Sequence, residues 1–288
     1  MAAPRIIVVG DERKGGTKAL VHRHASWLAA RGCEVAIVGD RESSLADVEF
    51  DFAVVFGGDG SLLGTARRMG DNQRPTLGIN CGRLGFLTAF EQEHTEEALR
   101  RLLSGDLLEE RRLMMSCSTL SSDGVASPPV AFLNDVVITR RSVSGMITVR
   151  AWRGEVELAS YRGDGLIAAT ASGSTAYSMA VGGPVLSPDL DALVLSPLAS
   201  HTLNVRPMVL PVGAGIDIEV VETGAKKQAS CLVDGQVALQ IPVGGRAVLR
   251  PVAYSFRHLV PESTHFFEVL HAKFGFADLP RPQPGRRG

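Results

Sequence analysis

The chain is poor in the features that mark a specialised environment. Its 288 residues include only four cysteines, Cys33, Cys81, Cys117 and Cys231, far apart and without C-x-x-C or Cys/His spacing. That scarcity argues against a disulfide scaffold or a zinc site and fits reduced thiols. No apolar run approaches the ~18 residues that a membrane span requires. The opening MAAPRIIVVG holds an apolar run of strand length rather than the core of a secretory signal. Nor is there an excess of charge of either sign, the net value being −1. Nucleic acid and anionic membranes are therefore not expected as main partners. The expectation is a cytoplasmic protein.

What is present is apolar residues, 45% of the chain, and 31 glycines. The first supplies a core large enough for one large domain or two medium ones. The second implies many tight turns or close approaches of backbone to ligand. In the first third, short apolar runs alternate with helical spacing. Strands are expected at Arg5–Val9, Glu34–Val38, Phe52–Phe56 and Pro75–Ile79. Helices are expected at Thr17–Arg31, closed by Gly32, and at Thr95–Leu103, with Thr95 as N-cap and acidic residues in the first turn. Such alternation implies an open, mostly parallel, Rossmann-like sheet with a crevice at the carboxyl ends of its strands.

From about residue 110 strand-like runs take over: LMMSCSTL, AFLNDVVITR, MITVRAW, GLIAAT, ALVLSPL, IDIEVV, ASCLVDG and RAVLRPV. One helix is expected in this part, near Thr175–Val181. The division that results is an α/β domain over 1–110, a β-rich, sandwich-like domain over 111–264, a C-terminal segment over 265–279 and a disordered tail over 280–288.

Three segments carry chemistry. The first is Gly57–Gly60, GGDG, between a strand and a helix. Free backbone N–H groups and a positive helix end make that a place for phosphate, and a tight Asp-Gly turn is the plainer reading. The spacing is not a P-loop, because no Lys follows at G-x-x-x-x-G-K. Asp59 suits either the ordering of a metal-bound phosphate or the acceptance of a proton from a hydroxyl attacking a phosphoryl group. The second segment, Gly78–Leu87 (GINCGRLGFL), places Asn80 at a strand end and Gly82 and Gly85 beyond it; it reads as a ligand loop or as a turn before a helix. The third, Arg162–Pro184, contains a second Asp-Gly and then Gly173-Ser174-Thr175-Ala176-Tyr177, small hydroxylated residues better suited to binding than to a core. Asn134-Asp135 lies in an apolar run, where polar groups need partners. Asp234-Gly235-Gln236 reads as a hairpin turn. His201 is a lone histidine, and His22 and His24 do not share a helix face.

Taken together, these segments resemble the NAD kinase family. The likeness runs from the strand before Gly57 to about Phe276: GGDG, GINCGRLGFL, LNDVV at Leu133–Val137, DGLIAATASGSTAY at Asp164–Tyr177, GGPVLSP at Gly182–Pro188, HTLNVRP at His201–Pro207, DGQ at Asp234–Gln236 and VLHAKFGF at Val269–Phe276. GGDG alone is shared with phosphofructokinases and lipid kinases, so the combination carries the resemblance. It implies an N-terminal α/β domain, a β-sandwich-like second domain and a C-terminal segment that returns to the first. It also implies a homodimer or homotetramer, and Mg²⁺ with ATP.

The activity implied is phosphorylation of the 2′-hydroxyl of the adenosine ribose of NAD, with ATP or polyphosphate as donor. On this resemblance Asp59 is the proton acceptor and Gly60 lies beside it. Asn134 and Asp135 hold the nicotinamide riboside. Asp164, Thr175, Ala176, Tyr177 and Ser178 contact NAD, with Arg162 near its phosphates and Gln236 near the ribose. Gly57, Gly58 and Asn80 serve the donor, and no direct protein ligand to metal is assigned. The chain departs from the family at Ser61 and in TASGSTAY, both mildly. More pointedly, Gly64 and Gly145 stand where many members carry a basic residue. The alternatives are a catalytically weak NAD(P)-binding sensor and a lipid or sugar kinase that shares GGDG.

Overall fold

The computed structural model describes residues 3–82, 85–141, 145–201, 204–224, 227–262 and 265–275. The tail expected over 280–288 lies outside them, as does Phe276. The chain opens with β1 (Arg5–Gly10), α1 (Gly15–Ala29), β2 (Glu34–Val38), β3 (Phe52–Gly57), α2 (Asp59–Met69), β4 (Thr76–Asn80), a short β5 (Phe90–Glu91), a single 3₁₀ turn (Gln92–His94) and α3 (Thr95–Ser104). β2, β1, β3 and β4 pair in parallel, in that spatial order. Because strand side chains alternate between faces, Ile6 and Val8 meet α1 and α3, while Ile7 and Val9 meet α2. The runs are buried on both sides, which is why they read as continuous apolar stretches.

One local expectation fails. Thr95 is not an N-cap: the 3₁₀ turn precedes it, its hydroxyl donates to the carbonyl of Gln92 at 2.6 Å, and His94 takes the cap position without a side-chain bond. Glu96 and Glu97 still occupy the first turn, where the helix dipole favours them.

The second part comprises β6 (Leu108–Leu120), β7 (Val130–Phe132), β8 (Asp135–Arg140), β9 (Ile147–Arg153), β10 (Val156–Gly163), β11 (Gly165–Thr170), a 3₁₀ turn (Ser172–Thr175), α4 (Tyr177–Ala180), β12 (Ala192–Leu198), β13 (Met208–Pro211), β14 (Ile216–Glu222), β15 (Gln228–Val233), β16 (Val237–Pro242), β17 (Arg246–Val260) and α5 (His265–Phe274). β13-β12-β11-β8-β15-β16 form one sheet. It faces β9, β14, β17 and β6 across a core that includes Val136, Ile138, Val149, Leu166, Ile218, Cys231 and Leu249. This is the β-sandwich. β10, β13 and β16, which no apolar run announces, are all sheet edges whose residues are mostly exposed or partly buried.

β17 joins the two parts. Its first half pairs with β14 and its last residues pair in parallel with β4, His258 opposite Thr76 and Leu259 opposite Leu77. β6 follows it antiparallel along nearly its whole length. One sheet therefore runs from the parallel layer into the sandwich, and a division at 110/111 falls within β6. Helix α5 then packs Phe266, Val269 and Leu270 against Phe86 of the first part. Among the described residues no helix is long and apolar enough to cross a membrane.

Candidate active site

The crevice opens at the carboxyl ends of β1, β3 and β4. Gly58 adopts extended backbone ahead of α2, so Asp59 is the first helical residue. Its carboxylate accepts two backbone N–H groups from the second glycine segment, Phe86 at 2.8 Å and Leu87 at 2.9 Å. Gly85 makes this possible, because a Cβ there would overlap the Asp59 carboxylate. The loop from Gly78 to Leu87 is thus the holder of Asp59. Each carboxylate oxygen keeps one lone pair free for a further partner.

On one side lies a cleft of about 210 Å³ lined by Gly57, Gly58, Ser61, Asn80, Lys14, Thr17 and Arg41. The N-terminal ends of α1 and α2 both open here, and α1 has no acidic residue in its first turn. The unpaired N–H groups of two helices and two nearby cations make it a site for polyanions. Arg41 pairs with Asp11 at 3.0 Å. Hydrogen bonding from Arg13, aided by the charge of Arg41, pulls the Asp11 carboxyl down to about 2. Asn80 turns inward, exchanging hydrogen bonds with the backbone of Gly82 at 3.1 Å each. Lys14, Thr17 and Arg41 were not expected at the site. The signal available for them is Gly15-Gly16-Thr17 after β1, which opens a helix just as GGDG does after β3.

The other side is built from the sandwich. Asp234 is no plain turn residue. Its carboxylate accepts the N–H groups of Leu133 (3.0 Å), Asn134 (2.8 Å) and Asp135 (3.1 Å), and its backbone is left-handed at φ 48°. Burial pushes both Asp135 and Asp234 upward. Burial, with the Asp234 charge adding to it, pushes Asp135 up to about 7, while at Asp234 the three N–H donors oppose the rise. The carbonyl of Asn134 lies where a Cβ on Gly173 would stand, which brings the 3₁₀ turn of Ser172–Thr175 onto Asn134. Tyr177 is exposed on α4, whereas Ser178 is buried with its hydroxyl 2.8 Å from that of Ser196.

Gln236 closes the crevice. Its Nε2 donates to the carbonyl of Gly60 at 2.6 Å and its Oε1 accepts from Arg67 Nη2 at 2.7 Å. A Cβ on Gly64 would stand 3.3 Å from that Oε1, so the glycine leaves room for the amide, and the cation of this helix face is Arg67, one turn on. Arg162 and Asp164 are not part of this constellation. They precede β11, whose far end carries Thr170, about 20 Å away at ~3.3 Å per residue. There Arg162 is exposed, Asp164 pairs with Arg140 at 2.8 Å, and the His201 N–H donates to the Arg162 carbonyl. His24 is buried and stacked on Phe56. Among the described residues no group of three or more His, Cys, Asp or Glu side chains is placed to hold a metal ion.

A fixed carboxylate between a glycine-lined anion cleft and a polar sandwich edge defines a two-domain phosphotransferase of the nucleotide-kinase type. The sequence profile of the ATP-NAD kinase N-terminal domain matches residues 41–107, and that of the C-terminal domain matches 133–260. An NAD kinase of Cupriavidus pinatubonensis is 35% identical over 96% of this chain and 93% of its own length. One from Heliobacterium modesticaldum is 35% identical over 94% and 98%. The yeast NADH kinase complexed with NADH shares the fold, with a TM-score of 0.83 at 20% identity over 98% of this chain and 90% of that one. The Archaeoglobus fulgidus NAD kinase in complex with ATP gives 0.75 at 28% identity over 92% and 97%. The chain belongs to the NAD kinase family.

Proposed function

We propose that the protein transfers the γ-phosphoryl group of ATP to the 2′-hydroxyl of the adenosine ribose of NAD, giving NADP and ADP. The observation that carries this reading is the position of Asp59, fixed by two N–H donors between the anion cleft and the Asn134–Gln236 edge. The donor's phosphates lie over Gly57 and Gly58, facing the ends of α1 and α2 and the cations Lys14 and Arg41. NAD lies against Asn134, Asp135, Thr175, Ala176 and Tyr177, with Gln236 and Gly60 near its ribose.

The 2′-oxygen attacks the γ-phosphorus as the bond to the β–γ bridging oxygen breaks, and Asp59 takes the hydroxyl proton. An Asp is a weak base, but the phosphoryl transition state is loose and the proton moves late, so orientation outweighs basicity. Bound with ATP, Mg²⁺ would be carried mainly by the donor's phosphates over Gly57 and Gly58 and would neutralise their charge.

In the division we favour, residues 1–110 hold the donor and 111–264 hold the acceptor, in a cytoplasmic homodimer or homotetramer. Arg162 and Asp164 then serve NAD from a second copy. Purified protein with NAD, ATP and Mg²⁺, read by an NADP-specific dehydrogenase, tests the activity. NADP formation is expected; NAD binding without NADP would overturn the reading in favour of a sensor. Solution mass tests the assembly.

A further inference from the structure

We propose that His258, on β17, is the positioning residue that holds the base Asp59 in its working orientation; the proposal rests on the reading of Asp59 just given. The path is short. Asp59 is gripped by the N–H of Leu87, and the carbonyl of the same residue accepts from Nε2 of His258 at 2.8 Å. No other donor among the described residues reaches that carbonyl. The peptide units on both sides of Leu87 are therefore fixed, one by the carboxylate it serves and one by the imidazole behind it.

The imidazole is itself constrained. It is fully buried, stacked on Phe256 at a centroid distance of 5.9 Å, and held on the strand that pairs with β4. A carbonyl can only accept, so the ring proton sits on Nε2 and Nδ1 carries the lone pair. That lone pair faces Nη2 of Arg112 at 3.5 Å, a buried guanidinium that also donates to Glu110 at 2.6 Å. Burial, with the Arg112 charge next to the ring, holds the imidazole well below its ordinary pKa, so it stays neutral. A neutral, single-tautomer donor orients a peptide and plays no part in proton transfer. His258 touches none of the groups placed around the substrates, so its effect must pass through Leu87.

The role predicts a split in the kinetics. His258→Leu, similar in bulk but without a donor, lowers kcat about tenfold or more, since a small misplacement of a catalytic group is costly. KM values for NAD and ATP change less than about threefold, because neither substrate site is touched. His258→Gln, whose amide nitrogen reaches toward the same carbonyl, restores most of kcat. If the Leu variant does not fold, His258→Asn, polar but too short to reach Leu87, replaces it in the comparison and loses kcat likewise.

The deciding measurement is a double-mutant cycle. In an Asp59→Asn background the histidine substitution has no further effect on kcat, because the group it orients is gone. Additive losses, or equal loss in the Gln and Leu variants, would overturn the positioning role and leave Asp59 as the base. Absence of NADP from the wild-type enzyme, or normal turnover by Asp59→Asn, would overturn the reading of Asp59 and this role with it.

Discussion

Gln236 donates to the carbonyl of Gly60 at 2.6 Å, so a hairpin of the sandwich is fastened to the first turn of the helix that carries Asp59. The two sides of the crevice are thus in register through one amide, which Arg67 holds from behind.

That clasp sets the behaviour of Gly64. A glycine inside a helix costs roughly 1 kcal/mol relative to alanine. Gly64→Ala recovers part of this and raises Tm by about 2 °C, given the ~2–4 °C per kcal/mol of chains this size. The new methyl crowds Gln236, and KM for NAD rises. A thermal melt paired with steady-state kinetics checks both directions; unchanged KM would show that the amide does not serve NAD.

Asp59→Asn removes the proposed proton acceptor and sets an amide against an N–H donor it cannot satisfy. Turnover falls by at least ~10², the low end of general-base effects, while NAD still binds. Stability drops by about 1–3 kcal/mol, the cost of one buried donor left unpaired. Calorimetric titration with NAD beside kcat separates binding from chemistry, and turnover within tenfold of wild type would dismiss the role.

Lys14→Ala acts on the donor alone. With one cation gone from the cleft at the two helix ends, KM for ATP rises about tenfold, in line with the ~1.5–3 kcal/mol of a charged hydrogen bond, and KM for NAD stays put. Equal changes in both would move Lys14 out of the donor site.

Tyr177 is half exposed, so Tyr177→Ala leaves Tm within about 1 °C, as surface changes do. KM for NAD rises well beyond KM for ATP. Parallel rises would count against an NAD contact.

Asp135 makes stability fall with pH. Its carboxyl is near 4 unfolded and pushed up to about 7 folded. Between those values the folded state binds the extra proton, so stability is full below about 4 and is lost as pH climbs through about 7. Asp135→Asn removes its share of the titration and makes the profile shallower, Asp234 keeping its own, with a gain on the order of a few kcal/mol at pH 8. Denaturant melts at pH 5 and pH 8 check it; parallel shifts in wild type and variant would contradict the assignment.

The parallel layer was legible because RIIVV and FAVVF are buried on both faces, and GGDG because strand, glycines and helix are neighbours in the chain. Edge strands such as β10 carry no such run. Asp234 read as a turn because the N–H groups it caps lie about a hundred residues earlier. His258 was silent for the same reason, with Leu87 171 positions away. Short-range spacing records what a segment does for itself, and these residues act for distant ones. The spread of Arg162 and Asp164 from the crevice is likewise a matter of strand length, which a motif such as RGDG does not express.

The pairing of β17 with β4 has a temporal side. A chain leaving the ribosome displays the whole glycine crevice before a third of its length is out, yet β4 still lacks its outer neighbour. That neighbour, with the imidazole behind Leu87, arrives only with residues 258–259. Until then the parallel layer has an unfinished sheet edge, and exposed strand edges make partly folded chains prone to aggregate. Asp234, Gln236 and His258, which complete the crevice, all arrive within the last fifth of the chain.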